Sequence, residues 1–198
     1  MGFMENVEEN FRNKINELDN SEAHTREWTR NLLKLLDDIS VQVFSASNKR
    51  SWRQGNGGEY LLDFTYVQWE EQPLGDSKLV CDPHRVIVAC ESEWGADGAP
   101  KKDFEMVKDD FCKLLDIKSQ YKIMIFGYQR NKTDYLASIK EMFVVFFKYR
   151  ISNCPNDPIA TEDWLFVGVP WDGEKGECVF YRKQPGGIEL TEIPTPRM

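Results

Sequence analysis

The sequence predicts one α/β domain with a mixed central β-sheet flanked by helices. Two strand-length runs, 85–93 and 121–128, are apolar on both faces, the pattern of central strands covered from both sides. Segments of helical periodicity at 4–44, 101–116 and 133–150 precede, separate and follow them, and the C-terminal part returns to strand-forming patterns. At 198 residues, 41% of them apolar and 13% aromatic, the chain has the material for a single core. The division expected within the domain 1–198 is N-terminal helices at 1–47, a core with the candidate site at 48–150, and a β-rich end with a fraying tail at 151–198.

The first helical segment breaks at Asn20 or Ser21, either of which can cap its second piece. There Trp28, Leu32, Leu35, Leu36 and Ile39 recur at the spacing of one helix face, so that face packs on something. Gly55, Asn56, Gly57 and Gly58 form a turn cluster. The run 59–69 alternates and is rich in β-formers, which puts Tyr60, Leu62, Phe64 and Tyr66 on one strand face and Glu59, Leu61, Asp63 and Thr65 on the other. Residues 72–76 form a hairpin-like break. After the strand 85–93 come a loop at 95–100, the helix 101–116, the strand 121–128 and the helix 133–150, which carries Tyr135, Ile139, Met142, Phe143, Phe146 and Phe147. A turn-rich segment, 152–158, leads to two further strands at 164–169 and 177–182.

A formal charge of −8 and a pI near 4.9 argue against holding nucleic acid by a global positive field, because phosphate neutralisation needs clustered Lys and Arg; a local basic patch stays open. Cys81, Cys90, Cys112, Cys154 and Cys178 are scattered, with no Cys-x-x-Cys pair, and read as reduced core residues. No basic, apolar leader opens the chain and no run of about 18 apolar residues occurs, so a cytoplasmic protein without a membrane partner is expected. Only His24 and His84 are present, which leaves little for a His-based metal site or a Ser-His-Asp arrangement.

The chemistry concentrates at the end of the strand 85–93. Side chains alternate faces along a strand, so Glu91 and Glu93 point the same way. Asp63 joins them if its strand pairs antiparallel with theirs. Three converging carboxylates repel one another unless a proton or cation is shared, and an oxygen-preferring ion such as Mg²⁺ or Mn²⁺ is the natural counter-charge. The other reading of the same residues is a solvated strand end. On a helical wheel with Phe104 at zero, Val107, Phe111, Leu114 and Leu115 form the apolar stripe, and Lys108 falls at about 40°, beside it. Lys113 falls at about 180°, facing away. A lysine at that margin either snorkels into solvent or reaches the acids, which makes Lys108 the candidate base or orienting cation.

Asp63 in a strand, Glu91-Ser92-Glu93 at the end of the next, then a helix and the strand 122–128, all behind an N-terminal helix, resemble the core of the PD-(D/E)XK, or restriction-endonuclease-like, nuclease superfamily. The resemblance spans residues 28–128 and implies an α-β-β-β-α-β core, here with a β-rich C-terminal extension. It further implies that Asp63 and Glu91 bind the metal and that the last motif position helps to activate water. Glu93 stands there, where Lys is usual, and members that take the lysine from the next helix make Lys108 its counterpart. The activity implied is Mg²⁺- or Mn²⁺-dependent hydrolysis of phosphodiester bonds in nucleic acid.

Lys49, Arg50, Trp52 and Arg53 form a basic and aromatic patch suited to holding phosphates and stacking a base. A solvated loop is its plainer reading. A second class of function stays open as well. Trp69, Trp94, Trp164 and Trp171 lie near strand ends or turns of an acidic chain, a combination that suits a non-catalytic module binding a basic protein, as an inhibitor or immunity-type partner does.

Overall fold

Charged residues are scarce in the runs that become the centre of the sheet, and each apolar run ends at a turn signal, so strands and helices alternate along the chain. The computed structural model describes residues 2–17, 25–44, 49–53, 62–68, 71–74, 77–80, 85–94, 100–128, 133–154, 156–170 and 178–194. Its helices are α1 (Phe3–Glu17), α2 (Thr25–Phe44), α3 (Pro100–Asp116) and α4 (Thr133–Asn153). Its strands are β1 (Lys49–Arg53), β2 (Phe64–Gln68), β3 (Glu71–Leu74), β4 (Ser77–Val80), β5 (Arg85–Glu93), β6 (Ser119–Tyr128), β7 (Asp163–Pro170), β8 (Val179–Lys183) and β9 (Thr191–Glu192).

Seven strands form one mixed sheet in the order β1-β2-β5-β6-β7-β8-β9. β5, β6 and β7 run parallel at its centre, joined by crossovers through α3 and α4. β1 and β2 on one side and β8 and β9 on the other pair antiparallel. α1 and α2 cover one face, where Phe11, Leu32 and Leu36 pack with Phe64, Ile123, Ile125 and Leu165. α3 and α4 cover the other, where Phe111, Leu114, Phe143 and Phe147 pack with Ala89, Met124, Phe126 and Phe166. Burying such a side chain is worth about 1.5–3 kcal/mol, so these two layers, rather than helix propensity, hold the helices in place. Among the described residues no helix is long and apolar enough to cross a membrane.

Several details differ from the sequence reading. The segment 49–53 is the edge strand β1, because it finds a partner in β2. The hairpin expected around 72–76 is present as antiparallel β3 and β4, with Leu74 opposite Ser77. The chain bends at Leu62 and Asp63, so Leu62 packs on the α3–α4 side, opposite to Phe64 and Tyr66. The tail also gains an anchor, since β9 pairs with β8 and the Ile193 amide donates to the Phe180 carbonyl at 2.8 Å. None of the four described cysteines forms a disulfide; Cys90 is buried, but Cys154, past the end of α4, is exposed.

A buried polar cluster lies within the α3–α4 side. Lys122, 1% exposed, pairs with Glu162 at 2.7 Å and lies over the Trp164 ring. Lys183, fully buried, donates to the carbonyls of Ile159 at 2.7 Å and Glu162 at 3.1 Å.

Candidate functional site

The β2–β5 ladder positions the candidate acids. Phe64 pairs with Cys90 and Thr65 with Ala89, so the bend residue Asp63, just before the ladder, comes beside the end of β5, where its main chain donates to the Glu91 carboxyl. The site therefore lies at the C-terminal ends of the parallel strands, where open α/β sheets present their crevice. Glu91 follows Ala89 by two residues and shares its face, under α3. Asp63 is fixed from the opposite strand: one carboxylate oxygen accepts from the Ser92 amide at 2.9 Å and from the Ser92 hydroxyl at 2.7 Å.

Glu91 is the unusual member. Its residue is 2% exposed and its Oε1 has no hydrogen-bond partner. Burial above all, then the charges of Asp63 and Asp110, push its carboxyl up to about 9; Lys113 and a bond to the Asp63 main chain pull the other way without prevailing. At neutral pH the pair thus carries a proton on Glu91.

The lysine at the site is not the expected one. Lys108 pairs with Glu105 one turn back on α3, whereas the Lys113 ammonium lies 3.7 Å from Glu91 Oε1 and 2.6 Å from Asp110 Oδ1. A wheel ranks residues by distance from the apolar stripe but does not say which flank of the helix borders the strand end. Here the flank carrying Asp110 does, and the long Lys113 side chain bends back over it. Partial burial works to lower the Lys113 pKa, but the Asp110 bond and the acids beyond it outweigh that and hold the ammonium above its ordinary value. Asp110 is a site residue that the sequence signals only by its spacing of three from Lys113. Ser92 has no signal of its own in the sequence, since strand alternation turns it away from Glu91 and its role rests on the contact with Asp63.

Among the described residues no group of three or more His, Cys, Asp or Glu side chains assembles to hold a metal ion, so Glu93 does not complete a three-acid set. What fits a hard cation is the Asp63–Glu91 pair, since Mg²⁺ is commonly held by one or two carboxylates with water and phosphate completing the shell. The buried Glu91 Oε1 accepts no hydrogen bond and has only the Lys113 ammonium at 3.7 Å.

The basic patch lies on the edge strand beside β2, with Arg53 opposite Phe64 and so one step from Asp63, which brings Lys49, Arg50, Trp52 and Arg53 into the strand bordering the site. Of the tryptophans considered for protein binding, Trp164 is wholly buried and stacks with Phe166, and Trp94 packs edge-on against Trp28 while donating to Thr29. Trp69 and Trp171 lie outside the described residues. The chain matches no family model, no curated protein and no solved structure.

Proposed function

We propose that the protein is a metal-dependent hydrolase of phosphodiester bonds, a nuclease of the restriction-endonuclease-like kind, with Asp63 and Glu91 as the carboxylates for Mg²⁺ or Mn²⁺. The observation that carries this reading is that the Asp63 carboxylate, bound to Ser92, and the buried Glu91 carboxyl come together at the end of β5 with the Lys113 ammonium beside them. The order α2, antiparallel β1, β2 and β5, then α3 and parallel β6 supports it, since that core runs helix, three strands, helix, strand; the β3–β4 hairpin is an insertion before the third strand.

When bound, the cation supplies Lewis acidity toward the phosphate and lowers the pKa of a water. Asp63, steadied by Ser92, and Glu91, on giving up its proton, hold it. Lys113 takes the part first expected of Lys108, orienting the attacking water and offsetting charge that develops on the phosphate oxygens. Glu93, the next residue of that strand face, borders the same end. Lys49, Arg50, Trp52 and Arg53 on the edge strand take the flanking backbone and a base.

The test is incubation of the purified chain with DNA and RNA, with Mg²⁺ or Mn²⁺, beside Glu91→Ala and Lys113→Met. Metal-dependent cleavage that both substitutions abolish is the expected result. No cleavage by the wild type, or equal cleavage by Glu91→Ala, rejects the reading.

A further inference from the structure

We infer that Asp110 is a positioning residue that parks the Lys113 ammonium next to the candidate cation site and holds it at ion-pair rather than hydrogen-bond distance from Glu91 Oε1, an inference that rests on the metal reading of that site. The geometry has two parts. Lys113 is bound to Asp110 at 2.6 Å but lies 3.7 Å from Glu91 Oε1, beyond hydrogen-bond distance. The Asp110 side chain is 14% exposed against 46% for Lys113, so the carboxylate is the fixed partner and the lysine the adjustable one. A half-exposed lysine otherwise samples many rotamers. Once released, this one has an acidic oxygen within a small movement of its ammonium.

An ordinary exposed pair three residues apart on a helix is worth only about 0.2–0.5 kcal/mol and directs nothing. This pair differs in what lies beside it. If Lys113 closed on Glu91, the ammonium would occupy the position on Oε1 that a divalent ion needs. Asp110 gives the ammonium a nearer and more fixed acceptor, so a cation for Glu91 and a positive charge for an incoming phosphate coexist at one strand end.

The test is a double-mutant cycle on the full chain, read as Mn²⁺ affinity by calorimetry. With Asp110 present, Lys113→Met changes that affinity by no more than about twofold; in the Asp110→Asn background the same substitution tightens it by about tenfold, because the released lysine had been competing. Asp110→Asn alone weakens Mn²⁺ binding, and Asp110→Glu, which keeps the acceptor, restores most of it. Circular dichroism verifies that each variant is folded. An equal effect of Lys113→Met in both backgrounds overturns the inference, since it describes a point charge that Asp110 does not position. A wild type that binds no Mn²⁺ overturns the metal reading and this inference together, so the two failures are told apart by the wild-type titration.

Discussion

A single carboxylate oxygen of Asp63 accepts both the amide hydrogen of Ser92, at 2.9 Å, and its hydroxyl, at 2.7 Å. The contact joins the bend before β2 to the end of β5 and fixes the acid that faces Glu91. Ser92→Ala removes the hydroxyl and leaves the amide. Its expected cost is about 1.5–3 kcal/mol in urea denaturation, the range for a hydrogen bond to a charged group. Divalent affinity falls with it, because Asp63 is no longer held in one rotamer. Unchanged stability and unchanged Mn²⁺ binding would show that the amide alone fixes the acid.

How far these relationships were legible in the sequence depends on what generates each one. β5 was readable to the residue, since its run is apolar on both faces, short, rich in valine and isoleucine and bounded by turn-forming segments. The nearness of Asp63 and Glu91 needed only antiparallel pairing of β2 with β5. β1 was not legible, because Lys-Arg-Ser-Trp-Arg is a strand by virtue of its partner rather than its composition. Lys113 was missed because the wheel lacks the direction in which α3 crosses the sheet. Lys122 was hidden inside a run read as a strand and Lys183 lay one residue past another, and their burial rests on Glu162 and on main-chain carbonyls far away in sequence.

The Lys122–Glu162 pair makes its own prediction. Both side chains are buried, and Glu162 also accepts from the Ser119 amide at 3.3 Å. Burial pushes Lys122 down and Glu162 up, with each partner opposing the other's shift. Removing one charge strands the other, so Lys122→Met or Glu162→Gln is expected to cost about 3–5 kcal/mol in urea denaturation. The double substitution recovers part of that loss, because neither charge is left unpaired. Additive losses would mean that the two groups act independently.

Lys183 provides a pH dependence. Burial, its largest influence, outweighs Glu162 and Asp163, and together with Lys122 it brings the ammonium down to about 8 from an ordinary 10.5. Phe147 of α4 and the carbonyls of Ile159 and Glu162 enclose it, and a neutral amine still offers two hydrogens to those carbonyls. Between those values the unfolded chain holds a proton that the folded chain has released, so stability rises with pH across the window. The gain is at most about 3 kcal/mol. Urea midpoints at the two ends of the window, for wild type and Lys183→Met, isolate the group: the wild type gains on the variant as pH rises. A constant difference between the two proteins would assign the charge no such role.

Gly168 explains how closely the central strand is packed. It pairs with Phe126 of β6 on one side and Val179 of β8 on the other. A Cβ placed there would lie 2.5 Å from Val179 Cγ2 and 3.2 Å from Phe126 Cζ. Phe126 is fully buried and packs edge-on against Phe143, so it has nowhere to retreat, whereas Val179 is only half-buried and adjoins the start of β8. Gly168→Ala is therefore expected to cost about 1–3 kcal/mol by thermal unfolding, through overpacking rather than backbone strain. If the valine methyl is the main obstacle, Val179→Ala in the same chain returns part of that loss, although by itself it removes apolar contact and destabilises. A penalty for Gly168→Ala that is the same with valine or alanine at 179 would place the obstacle at Phe126 instead.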